Sequence, residues 1–152
     1  MEIKIYTSQW VGAENLLITR LTGDVNIAEI VKWEKSLLNA TEEIPNKSNF
    51  KIFVDLFGFK AVDIEAHKRF RSIIPLVLSQ YGWRVGYLNL FEEANDLTLT
   101  SKRGIKCFGA AHVHHDATKI EKYQSMFGNK TEQYFTDPVM ARMWISKLSI
   151  SS

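Results

Sequence analysis

At 152 residues, 45% hydrophobic and 24% charged, the chain is long enough to bury the core of one domain and too apolar to be disordered. Its net charge of +2 is too small to demand nucleic acid or an anionic membrane as partner. The single cysteine, Cys107, excludes an internal disulfide and agrees with a reducing compartment.

Met1 to Trp10 alternates polar and apolar residues and lacks the unbroken apolar core of a signal peptide. The longest apolar run, Ile73 to Leu78, falls far short of the roughly 20 residues a transmembrane helix needs. A cytoplasmic protein without a transmembrane segment is the expectation.

In chain order, Ile3 and Ile5, then Leu16 to Leu21, read as two strands joined by the turn Gly12-Ala13-Glu14-Asn15. Thr22-Gly23-Asp24 is expected to break the second strand. Asp24 or Asn26 then caps a helix whose apolar positions Ile27, Ile30, Val31, Leu37 and Leu38 recur at helical spacing. Trp33 lies off that stripe and reads either as a lateral core contact or as an interface anchor. The polar stretch Thr41 to Asn49, with Pro45 inside it, ends the helix.

Phe50 to Phe57 is apolar apart from Lys51 and Asp55, as suits a central strand covered on both faces. Asp63 caps a second helix with the stripe His67, Phe70, Ile74, Val77, Leu78 and Tyr81, which Pro75 must kink or divide. Trp83 to Phe91 reads as a strand, Glu92 to Gly104 as a loop with a short helical turn, and Ile105 to Val113 as another strand. Asp116 caps a helix with the edge Ile120, Tyr123 and Phe127, stopped by Gly128-Asn129. A short edge strand, Glu132 to Phe135, precedes a last helix that opens on Asp137-Pro138 and carries Met140, Met143, Trp144 and Leu148. Strands alternating with helices after a hairpin predict an α/β fold, a single domain over 1–152 with a mixed sheet of about five strands and helices packed against it.

The strand Phe53-Val54-Asp55-Leu56, followed closely by Val62-Asp63-Ile64, and Ile18 to Asp24 leading into a helix, resembles the STAS domain of bacterial anti-sigma-factor antagonists. The ending, Tyr134-Phe135-Thr136-Asp137 into Ala141-Arg142-Met143-Trp144-Ile145, is similar to its SpoIIAA-like branch. In that family a serine or threonine after the second loop's aspartate is phosphorylated. Here Ile64 and Glu65 follow Asp63, so that phosphate switch has no acceptor. What the resemblance implies is a scaffold that binds a protein or an apolar small molecule such as a lipid.

Three of the four histidines fall in Ala111-His112-Val113-His114-His115-Asp116. In a strand, His112, His114 and Asp116 share a face, a donor set that suits zinc or iron. The spacing is superficially similar to the HxHxDH motif of metallo-β-lactamases. Its last histidine is absent, and His67 alone cannot build a second metal shell. The simpler reading makes Asp116 a helix cap and the histidines the polar rim of a cleft, because α/β sheets bind ligands beyond the carboxyl ends of their strands. The loop after Asp55 is a second such place.

Cys107 is expected on one strand face with Gly109, Ala111 and Val113, away from His112, and so inert. No GxSxG, Walker or dinucleotide glycine pattern occurs. Lys60, Lys68, Arg69 and Arg71 form one basic region and Lys102, Arg103 and Lys106 another, both read as solvated surface. The apolar helix around Ile73, Leu76 and Leu78 is core, a homodimer interface, or the side of a lipid-accepting groove beside the Pro75 kink.

The sequence therefore predicts a non-enzymatic binding or regulatory domain with no cofactor, acting on a protein partner or an apolar small molecule. Its candidate ligand-binding residues are Asp55, His112, His114, His115 and Asp116. The alternative is a metal-dependent sensor or enzyme using His112, His114 and Asp116.

Overall fold

The computed structural model describes residues 3–90 and 97–149. Its elements are β1 (Ile5–Val11), β2 (Leu16–Val25), α1 (Ile27–Thr41), β3 (Asn49–Leu56), β4 (Phe59–Ala61), α2 (Ile64–Arg71), α3 (Ile73–Ser79), β5 (Lys106–His114), α4 (Ala117–Phe127), β6 (Glu132–Phe135) and α5 (Pro138–Lys147). The sheet runs β1-β2-β3-β5-β6, with β1 antiparallel to β2 and every later pair parallel. The expected α/β mixed sheet is present, with six strands rather than about five, because β4 pairs the far end of β2. Among the described residues no helix is long and apolar enough to cross a membrane.

The larger core lies on the face covered by α1 and α3, where Leu17, Leu21, Ile52 and Val54 from the strands meet Ile30, Leu37, Ile74 and Leu78. The smaller core lies under α5, where Phe53, Ala111 and Val113 meet Ala141 and Ile145. Lys51 points to this second face, buried. Its ammonium donates to the carbonyls of Ser146 and Leu148 at 3.2 and 2.9 Å, supplying donors to the open end of α5.

Local chemistry explains the helix starts. Asn26 makes a reciprocal capping box with Glu29, Asp63 accepts from Ala66 N–H, Asp116 from Lys119 N–H, and Asp137 from Val139 N–H. Pro75 divides the second helix as expected. The chain breaks at Ser72 and restarts, which places Pro75 in the first turn of α3, where a missing N–H leaves no bond unmade.

Several expectations need correction. Thr22-Gly23-Asp24 does not end β2: Gly23 adopts φ 90°, its N–H donates to Gly58 at 3.0 Å, and the strand continues against β4. Trp83 to Leu90 is not a strand but a loop ending in a 3-10 turn over Gly86–Leu90, with Val85 and Leu88 inserted into the larger core; Phe91 lies outside the described residues. On α1 the buried face carries Trp33 beside Ile30 and Leu37, while Ile27, Val31 and Leu38 are exposed. On α5 the core residues are Ala141 and Ile145, with Met140 and Met143 58% and 53% exposed. Ile73 and Leu78 are buried in the core, so neither is an interface residue; only Leu76 faces outward.

A β-bulge reverses the expected company of Cys107. Phe50 pairs with Cys107 but Lys51 pairs with Gly109, so Phe108 is an extra residue that shifts the alternation. Cys107 therefore packs with Ala110 in the larger core, on the His112 side, and burial pushes its thiol pKa up. The thiol stays protonated and buried. Arg103, expected in a solvated loop, donates instead to the carbonyls of Thr41 and Ile44 at 2.7 and 2.8 Å, closing the end of α1.

The β1–β2 turn is tied to α5 by a two-pronged ion pair. Arg142 donates to Glu14 at 3.0 and 2.8 Å, and Ser146 adds a third bond at 3.1 Å. The Arg142 hydrogen bond, followed by Ser146, outweighs burial and lowers the Glu14 pKa from 4.5 to about 2. The carboxylate form is favoured by folding, so its contribution is complete above pH 4.5 and disappears as pH falls through about 2. With both side chains about one-third exposed, solvent screening limits it to about 0.5–1 kcal/mol. Glu14→Gln is expected to lose that amount in urea denaturation at neutral pH and to match the parent only well below about pH 2.

Candidate functional site

Leu56 closes β3 and His114 closes β5, and beyond these carboxyl ends the sheet opens between α2 and α4. A cavity of about 60 Å³ lies there, walled by Ile74, Tyr87, Ile120, Tyr123 and Tyr134. It continues into a wider groove of about 490 Å³, with His67, Phe70, Arg71, His114 and Lys119 bordering both spaces. Inside, the cavity is mainly apolar.

His112, in the cavity wall, belongs to a buried polar pair. His112 Nε2 lies 2.8 Å from Glu132 Oε2, and the other carboxylate oxygen accepts the Gly86 N–H at 3.0 Å. Both side chains are nearly inaccessible, at 8% and 3%. Strand register explains the assembly: His112 stands directly opposite Tyr134 in the parallel pair, and Glu132 precedes Tyr134 by two residues on the same face. The His112 ring stacks on Tyr134 with centroids 4.6 Å apart and planes 12° from parallel. Tyr87 meets His112 edge-on at 5.6 Å and stacks on Tyr123 at 5.8 Å. The Tyr134 hydroxyl is buried beside the Glu132 carboxylate. Burial, with the neighbouring Glu132 carboxylate, drives the phenol pKa values of Tyr87 and Tyr134 upward, so both stay protonated.

The mouth is cationic. Lys119 sits 5.6 Å from the centre of the Tyr123 ring, and burial lowers its pKa against the opposing pull of Asp116. Burial, then Lys119 and Arg71, lowers the pKa of His67. Burial, then Lys119 and His115, lowers that of His114 to about 4. His114 and His115 stack at 4.3 Å, and each is fixed by a backbone N–H: Asp116 donates to His114 Nδ1 at 3.0 Å and Gly58 to His115 Nδ1 at 2.9 Å.

Of the residues singled out in the sequence, His112 and His114 line the cavity, and His114 and His115 line the outer groove. Asp116 is the cap of α4. Asp55 is elsewhere, on the opposite face of the sheet, where Oδ2 lies 3.6 Å from Arg20 Nε and Oδ1 accepts the Phe57 N–H. The metal alternative loses its geometry. His112 is engaged by Glu132, Asp116 by Lys119 N–H, and among the described residues no trio of His, Cys, Asp and Glu is gathered for a metal ion.

No family model matches the chain, and no curated protein or solved structure matches it either. Sequence reasoning missed Glu132, Tyr134 and Tyr87 as parts of the site. The alternation of Glu132 and Tyr134 in a short strand places them on one face, but nothing local says that His112 is their neighbour. His67, Phe70 and Arg71, spaced i, i+3, i+4, all border the cavity, although the sequence reads His67 and Phe70 as core stripe and Arg71 as solvated surface.

Proposed function

We propose that this chain is a non-enzymatic binding domain of STAS-like, SpoIIAA-like architecture that takes an apolar small molecule at the carboxyl end of its parallel strands. The observation that carries the reading is the mainly apolar, aromatic-walled cavity between α2 and α4, opening into a groove wide enough for a ligand's outer part. The element order, a hairpin, a helix, a central strand and a capped helix, supports the STAS-like assignment. The placement of the nucleophile supports binding over catalysis: Cys107 lies in the core and not in the cavity lining, and burial keeps its thiol protonated. At about 60 Å³ the inner cavity is smaller than the engineered cavity of about 150 Å³ that admits benzene. Only the slim end of a chain enters it unless side chains move.

Calorimetric titration with 1-octanol, a neutral slim-chain probe, tests the reading. The parent is expected to bind it, and Leu56→Trp, which adds bulk to the cavity wall, to weaken binding by about tenfold or more while remaining folded. Met140→Ser/Met143→Ser, on the exposed α5 face, is expected to leave binding unchanged. Failure of the folded parent to bind, or loss through the α5 variant instead, would overturn the assignment.

A further inference from the structure

We infer that the ligand carries an anionic, oxygen-rich head group, a carboxylate or phosphate, held at the cavity mouth by Lys119 and the imidazole N–H groups of His114 and His115. This deepens the binding-domain reading and rests on it. The groove is rich in donors and poor in acceptors. Lys60, Lys68, Arg71 and Lys119 line it, against one carboxylate, Asp63, whose Oδ1 is already committed to the Ala66 N–H. Among the described residues, Lys119 has no carboxylate within ion-pair distance. Asp116 acts on this ammonium only from beyond ion-pair distance, so its burial is incompletely compensated, and an anionic ligand supplies the missing contact.

The histidines add direction. An Nδ1 that accepts a backbone N–H bears no proton, so the ring proton of both His114 and His115 is on Nε2. Each ring is thus a fixed hydrogen-bond donor in the wall of the groove, oriented before any ligand arrives. The apolar walls lie deeper, around Ile74, Ile120 and Tyr123. A ligand therefore enters tail first, with its charge left at the rim, which Lys119, His114 and His115 line.

Calorimetric titration with octanoate, octyl phosphate, octanol and inorganic phosphate tests this on the full chain. Both octyl anions are expected to bind about tenfold or more tightly than octanol, and more tightly than inorganic phosphate. Lys119→Gln should reduce the anions to the level of octanol while octanol binding stays constant, which also reports an intact fold. Lys119→Arg should restore the preference. The ratio of octanoate to octyl phosphate identifies the head group. Octanol binding as well as the anions, or a Lys119→Gln variant that keeps the preference, overturns the head-group inference and leaves the apolar site standing. Inorganic phosphate binding as tightly as octyl phosphate overturns it too, since the tail would contribute nothing. If no octyl compound binds the folded parent, both the inference and the reading beneath it fall.

Discussion

Glu132→Ala is expected to destabilise the protein by about 3–5 kcal/mol, a large share of the roughly 5–15 kcal/mol that holds a domain of this size together. The substitution removes the acceptor of His112 Nε2 and of Gly86 N–H together, inside a site almost closed to water. Each group left without a partner costs about 1–3 kcal/mol, and the vacated volume adds to the loss. Glu132→Gln separates these effects. Its carbonyl can still accept from Gly86, and its amide can donate to His112 once the imidazole carries its proton on Nδ1. That variant should lose no more than about 1–2 kcal/mol. Urea unfolding of the two variants checks the ordering. An alanine variant as stable as the glutamine one would mean that the pair contributes nothing through its hydrogen bonds. The same experiment bears on the ligand site, because Glu132 fixes the ring on which Tyr134 stacks.

The helix starts were legible in the sequence because a cap is a local device: Asn26, Asp63, Asp116 and Asp137 each bond to an N–H within three residues. The edge strand Glu132 to Phe135 and the division at Pro75 were legible for the same reason. What failed depended on residues far apart in the chain. Trp83 to Leu90 has strand-like composition, but β3 and β5 already lie side by side, so the run becomes a cover over the core. The face of Cys107 turned on the single extra residue Phe108, which no alternation pattern reveals. The site itself was half visible. The cluster from His112 to His115 marked the right end of the sheet, whereas Asp55 proved to be on the other face and Glu132 came from a neighbouring strand.

Trp33→Ala is expected to cost about 3–5 kcal/mol, through cavity formation and the loss of a buried hydrogen bond. Trp33 is fully buried, stands 5.7 Å from the Phe70 ring, and donates from Nε1 to Thr19 Oγ1 at 2.7 Å. Thr19 is also fully buried, and its hydroxyl continues to Ser8 at 2.8 Å and from there to Ser36 at 3.0 Å. Ser36 returns to the Trp33 carbonyl at 2.7 Å, so the chain of bonds closes on itself across α1, β1 and β2. Such a circuit joins the helix to the sheet hairpin at one register. Thr19→Val breaks it while keeping the volume, and strands the indole N–H at a cost of about 1–3 kcal/mol. Trp33→Phe removes the donor but also opens space beside Phe70. If the bond is what couples the two residues, the double variant Trp33→Phe/Thr19→Val will be more stable than the summed losses predict, by about 1 kcal/mol. Strict additivity would show that Trp33 stabilises this junction by packing alone.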